Sequence, residues 1–209
     1  MIELVDDQIG RILEFLDRTG QREQTVIVVT TDHGDMLGDH GLTRKGCRFY
    51  EGLVRVPLIF SWPGTIKNDF VSDALVELTD IVPTLLEMSD CSLPRQLDGR
   101  SLLPLLAGKA SPQHHRDFVR SEYYDGQQGG CCNFGTMYCD GHWKLVVYHG
   151  HQVGELYDLQ NDPIEQINLW DCSEYRDIKL DLVKASFDSS VLAMDVGPPL
   201  LRSAPARRL

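Results

Sequence analysis

The sequence has no run approaching the roughly 18 consecutive apolar residues that a transmembrane helix needs, so no membrane span is expected. It is also short of positive charge. With 20 Lys plus Arg against 31 Asp plus Glu, the formal net charge is −11. No basic field is available to gather phosphates, which argues against nucleic acid as a partner. The locally basic residues Arg202, Arg207 and Arg208 sit in a short terminal tail. The opening Met1-Ile2-Glu3-Leu4-Val5-Asp6-Asp7 is acidic and amphipathic and does not read as a signal peptide. CxxC spacing is absent among Cys47, Cys91, Cys131, Cys132, Cys139 and Cys172, which leaves a zinc ribbon or a thioredoxin-like motif without support. Cys131 and Cys132 are adjacent and cannot easily bridge each other, and this usage favours a reducing compartment such as the cytoplasm. No internal repeat or low-complexity stretch is found. What is present, 42% hydrophobic and 24% charged residues over 209 positions, is the make-up of a globular chain able to bury a core.

The element order reads as α/β. Residues 2–18 carry Leu4, Val5, Ile9, Ile12, Leu13, Phe15 and Leu16 at intervals of three and four, the pattern of an amphipathic helix, and Gly20 suits its end. Thr25 to Thr31 is a β-branched run without alternation, as expected of a parallel strand covered on both faces. A loop rich in Gly and charge follows over 32–52. Strands are expected over Val54–Phe60 and Val71–Val76. A helix capped by Thr79, with Pro83 in its first turn, is expected to run to about Met88, and a short one over Ser101–Leu106. Beyond about residue 115 the pattern changes to strands over Phe118–Tyr124, Thr136–Cys139, His142–Tyr148 and Glu155–Leu159. Asp140-Gly141 is a hairpin turn, and a last helix is expected over 173–192. The fold class expected is therefore α/β: part of a mixed, mainly parallel sheet flanked by helices over 1–115. A small antiparallel sheet with a packing C-terminal helix follows over 116–209.

Candidate chemistry starts where the β-branched run ends, at Asp32-His33-Gly34. Ligands of open α/β sheets bind outside the carboxyl ends of strands. There Asp32 offers a hard oxygen, His33 an imidazole nitrogen, and Gly34 a sharp turn away. As a bare tripeptide it reads equally as a capping Asp beside a solvated His. Lys45, in Thr43-Arg44-Lys45-Gly46, carries a compact charge suited to sulfate or phosphate, although an isolated lysine is more often solvated. His40 suits loop packing, Asp6 and Asp7 a solvent-facing helix side. His149 and His151 read as exposed loop histidines.

The stretch Thr30-Thr31-Asp32-His33-Gly34-Asp35-Met36-Leu37-Gly38-Asp39-His40-Gly41-Leu42, followed by Lys45, Phe49-Tyr50-Glu51-Gly52, Arg55-Val56-Pro57-Leu58-Ile59 and Trp62-Pro63-Gly64, resembles the type I sulfatases of the alkaline phosphatase superfamily. The segments Leu78 to Leu86, Leu97 to Leu106, and Glu155-Leu156-Tyr157-Asp158-Leu159 with Asp162-Pro163, Glu165, Asn168 and Leu169 extend the likeness in the family's order. The resemblance implies that Asp32 and His33 are a late pair of metal ligands. It implies that Lys45 contacts the substrate's sulfate and helps to carry charge in the transition state, a catalytic as well as a binding role. It implies a divalent metal acting as a Lewis acid: calcium by family habit, with manganese or zinc left open by the softer His33 donor.

The family's formylglycine nucleophile, made in a C/S-x-P/A-x-R motif, has no counterpart. Cys47 is followed by Arg48-Phe49-Tyr50-Glu51, and Cys91 by Ser92-Leu93-Pro94-Arg95, with Leu93 where the motif has its proline. The early Asp-Asp metal pair is missing too. The sequence therefore reads as the C-terminal portion of a sulfuric ester hydrolase, inactive alone, that forms an oligomer or associates with an N-terminal half. A phosphonate or phosphate ester hydrolase of the same superfamily, or a catalytically dead sulfatase-like module, are the alternatives. The organic half of the substrate would meet variable loops such as Tyr123–Phe134.

Overall fold

The structure is a computed structural model and describes residues 1–94, 96–124 and 134–194. The expected glycine-rich loop Gly126–Gly130, the Cys131-Cys132 pair, most of Tyr123–Phe134 and the basic tail lie outside the described residues. Among those described, no helix is long and apolar enough to cross a membrane.

The chain opens with α1 (Ile2–Arg18), the helix its spacing predicts, and continues into β1 (Ile27–Thr30). After the loop come α2 (Glu51–Val54), β2 (Leu58–Ser61), α3 (Ile81–Met88) and α4 (Leu103–Leu106). Then follow β3 (Val119–Tyr124), β4 (Phe134–Cys139), β5 (Trp143–Tyr148), β6 (Gly154–Asp158) and α5 (Arg176–Leu192). The α/β class with an appended antiparallel sheet and helix is what the chain forms.

Three local expectations are corrected. First, β1 and β2 pair antiparallel, with Ile27 opposite Ser61 and Thr30 opposite Leu58, not parallel. A parallel return needs a crossover, usually a long helix, whereas the longest helix between these strands is the single turn α2. Second, Val54 ends that turn and is not in a strand; β2 begins only at Leu58, because Leu53 buries itself and commits residues 51–54 to the turn. Residues 71–76 form no ladder either. Asp73 gives its N–H to Pro112 O at 3.1 Å, a loop bond that satisfies the backbone without a partner strand. Third, Thr79 does not cap α3. A 3-10 turn, Leu78–Asp80, precedes the helix, and Glu77 and Asp80 close a reciprocal capping box, with Glu77 N–H donating to Asp80 Oδ2 at 2.9 Å.

The four-stranded sheet, in the order β3-β4-β5-β6, is antiparallel throughout. Alternation sends its side chains to two buried faces. Tyr138, Leu145 and Leu156 face α5 and meet Leu182, with Trp143, Tyr175 and Ile178 around them. Met137, Cys139 and Val146 face the other way, onto Cys47 and Phe49 of the long loop. The sheet thus packs directly on the segment that carries the candidate site. A third cluster, Ala74, Leu102 and Leu105 with Leu58 and Phe60, backs β2.

Candidate functional site

β1 ends at Thr30, and its next residues carry the candidate ligands. Gly34 is needed there by close approach. A Cβ on it would lie 1.9 Å from Gly52 O, and its N–H donates to Leu53 O at 2.9 Å. The turn α2 is thereby pressed against the strand end, and the loop between them folds back over Asp32 and His33.

Lys45 rides on that loop and reaches His33, with Nζ 2.7 Å from Nε2. His33 Nδ1 lies 2.7 Å from Gly34 O. A carbonyl only accepts, so Nδ1 carries the proton and Nε2 presents its lone pair to Lys45. Asp32 Oδ2 stands 3.4 Å from the same Nε2. The Thr31 hydroxyl lies 3.3 Å from Asp32 Oδ1 and 3.2 Å from His33 O. Desolvation pushes the Asp32 carboxyl upward, but the His33 ring, the backbone N–H groups of Asp32 and His33, and the Thr31 hydroxyl outweigh it and hold the group below its ordinary range. Asp32 is therefore an anion at neutral pH, and its side chain is 82% exposed.

Asp32, His33 and Lys45 line one cleft of about 1280 Å³. The structure thus brings together all three residues that the sequence singled out. The cleft is also lined by Arg120, Tyr123 and His142, in and beside the small sheet. His40 stacks on Tyr50, ring centroids 3.9 Å apart, in the packing role expected of it. Asp6 and Asp7 are exposed on α1, and His149 and His151 are exposed on the turn after β5, outside the cleft lining. Cys47 and Cys139 are buried free thiols, and Cys91 and Cys172 exposed ones.

The donor set fits two positions of a divalent ion's shell. Two oxygen or nitrogen donors at right angles on a radius of about 2.3–2.6 Å stand about 3.3–3.7 Å apart, which brackets the Asp32–His33 separation. The proton on Nδ1 leaves Nε2 as the nitrogen that could meet an ion, the orientation that a carbonyl bonded to the far ring nitrogen imposes on metal-binding histidines. A cationic group, the Lys45 ammonium, already occupies that lone pair. Among the described residues no three His, Cys, Asp or Glu side chains converge for a metal, so the pair supplies part of a shell.

Sequence reasoning missed the charges buried beneath the loop. Lys144, on β5, is 1% exposed and bonded to Glu51 and Glu165. The signal was a lysine inside Trp143-Lys144-Leu145-Val146-Val147, a strand otherwise apolar on both faces.

Residues 38–191 match the family model of the C-terminal domain of N-sulphoglucosamine sulphohydrolase. An arylsulfatase of Clostridium perfringens is 35% identical over 176 residues, covering 83% of this chain and 35% of that protein. The solved structure of a 2-O GAG sulfatase superposes with a TM-score of 0.83 at 30% identity, over 91% of this chain and 41% of that one. The phosphonate monoester hydrolase of Silicibacter pomeroyi gives a TM-score of 0.82 at 29% identity, over 92% and 40%. The chain spans about a third of the length of the curated relatives it matches. The family match over residues 38–191, together with these identities and superpositions, leads to one conclusion: this chain belongs to the N-sulphoglucosamine sulphohydrolase C-terminal family, a sulfatase family of the alkaline phosphatase superfamily.

Proposed function

We propose that this chain supplies part of the metal site and the sulfate-contacting lysine of a sulfuric ester hydrolase. Its division falls near residue 115, between a core portion and a small sheet subdomain. The observation that carries the reading is the Lys45–His33 contact beside an ionised Asp32 at the mouth of a cleft. Asp32 and His33 would hold the ion, calcium by preference, which when bound polarises sulfate oxygens as a Lewis acid. Lys45, once its ammonium turns from His33 to a sulfate oxygen, places a fixed positive charge where negative charge gathers during sulfuryl transfer.

The formylglycine nucleophile that such a reaction uses has no precursor motif within these 209 residues. Alone, then, the chain does not turn over sulfate esters. It works in association, as an oligomer or with an N-terminal half, and the exposed apolar residues of α1 support that partnership. An aryl sulfate assay on the purified chain with added calcium should show no turnover, and metal-dependent turnover overturns this part. Anomalous scattering from crystals grown with calcium should place an ion against Asp32 and His33. Lys45 would then be released from Nε2, whereas density elsewhere, or none, removes the metal assignment.

A second reading, a phosphonate or phosphate ester hydrolase, is favoured by the His33 nitrogen donor, softer than an oxygen, and by the likeness to the phosphonate monoester hydrolase. Competition between calcium, manganese and zinc for the same crystal site separates the two, since preference for manganese or zinc supports the second.

A further inference from the structure

The buried charges beneath the site form a closed set. Lys144 Nζ has three protons and three acceptors: Phe49 O at 3.1 Å, Glu51 Oε1 at 2.5 Å and Glu165 Oε1 at 2.7 Å. The other oxygen of Glu165 accepts the backbone N–H of Glu51 at 2.7 Å. Glu165 is itself 3% exposed and holds a left-handed backbone at φ +57°, uncommon for a side chain of its type. Groups so enclosed are costly to bury, and apart from the bond between them the side chains of Lys144 and Glu165 bond to residues 49 and 51. Those residues bound the site on one side. They end the loop that carries Lys45 and begin α2, whose Leu53 O takes the N–H of Gly34, next to His33.

We infer that Lys144 and Glu165 are positioning residues for His33 and Lys45, acting through Glu51. The small sheet is then more than one wall of the cleft: it sets where the imidazole and the ammonium meet. This rests on reading Asp32, His33 and Lys45 as the ion- and sulfate-binding group. The bonds converge on one short segment, whereas a charge serving stability alone needs no such focus.

The test uses the full chain, isotopically labelled and free of metal and sulfate. Two signals are followed: the His33 ring nitrogens by long-range proton–nitrogen NMR at about pH 8, where an ordinary imidazole is neutral, and amide exchange at Gly34. In the parent chain, Nδ1 should be protonated and Nε2 should accept from Lys45. Glu165→Gln keeps the side chain's size and one oxygen for Lys144 but takes away the acceptor for Glu51 N–H. It should abolish the His33–Lys45 contact and speed Gly34 exchange about tenfold, with Leu145 and Leu156 amides unchanged. Glu51→Gln is made in parallel because that side chain is partly exposed and the fold should tolerate it; it should move the same two signals by less. The inference fails if neither variant moves them, or if exchange rises equally at Leu145 and Leu156, which a purely structural role would produce. Should Glu165→Gln not fold, Glu51→Gln decides by the same criteria. Because no ligand is present, failure of the proposed ion or sulfate binding would leave these outcomes intact.

Discussion

The opening helix and the small sheet are packed very differently. No residue of α1 is buried, and Ile2, Leu4, Val5, Ile12 and Phe15 remain exposed on it. In the small sheet, by contrast, Leu145, Val146 and Leu156 are fully enclosed between α5 and the loop at 47–49. The candidate chemistry lies between these extremes, just past the end of a four-residue strand, where Asp32 is largely exposed and His33 partly so. Its local order comes from the well-packed side, through Phe49, Glu51 and Leu53. A reactive group can thus be exposed and still be placed, provided that the backbone under it is held from below.

The largest effect that would sharpen this contrast is at the centre of the sheet. Leu156→Ala should lower the unfolding free energy by about 2–5 kcal/mol, the range for opening a cavity in a filled core, as read by urea denaturation. A cost below about 0.5 kcal/mol, the level of an ordinary surface change, would break the comparison.

A smaller effect of opposite sign is expected at Glu155 on β6. Burial raises its carboxyl above the ordinary 4.5, and Glu165 adds to this. The Tyr148 hydroxyl, donating at 2.8 Å, the Arg48 charge and a hydrogen bond to Tyr157 oppose it. The folded chain then keeps a proton that the unfolded chain has released once pH passes 4.5, so stability falls as pH rises through the window above that value. Glu155→Gln should make the protein more stable than its parent at neutral pH, with the advantage closing as pH falls toward 4.5. Thermal melts across that range give the reading, and a constant difference would show that this carboxyl does not titrate as described.

The smallest effect on folding belongs to α1. Replacing Ile12 and Phe15 together by serine should change stability by no more than about 0.5 kcal/mol per site. It should still lower the average mass measured by light scattering, because these residues are exposed for want of a cover. An unchanged mass would assign α1 no part in association.

How much of this was legible in the sequence followed the range of the forces involved. Residues 2–18, the Asp140-Gly141 hairpin and the helix after residue 173 depend on local spacing and turn chemistry, and each forms where expected. Asp32, His33 and Lys45 were legible because a strand end and a nearby loop needed no distant partner to be noticed. The antiparallel pairing of β1 with β2 was not, since it depends on how the chain between them folds. Nor was the helical turn at Glu51, which is held by Glu165 at a separation that no local pattern reports. Lys144 remained hidden because one charge in an apolar strand looks like an exposed position until its partners from two other segments are in place.

The cluster around Asp80 has a consequence for protein engineering. Asp80 is fully buried, accepts the Arg100 N–H at 2.7 Å and pairs with Arg116, which also holds Glu77 at 2.5 Å. Together with Lys144, Arg116 adds a lock of matched charges to the apolar contact by which Cys47 and Phe49 meet the small sheet. A chimaera grafting a relative's rear portion onto this front would need a cation at both places, so interchangeable parts within the family are those that share this key.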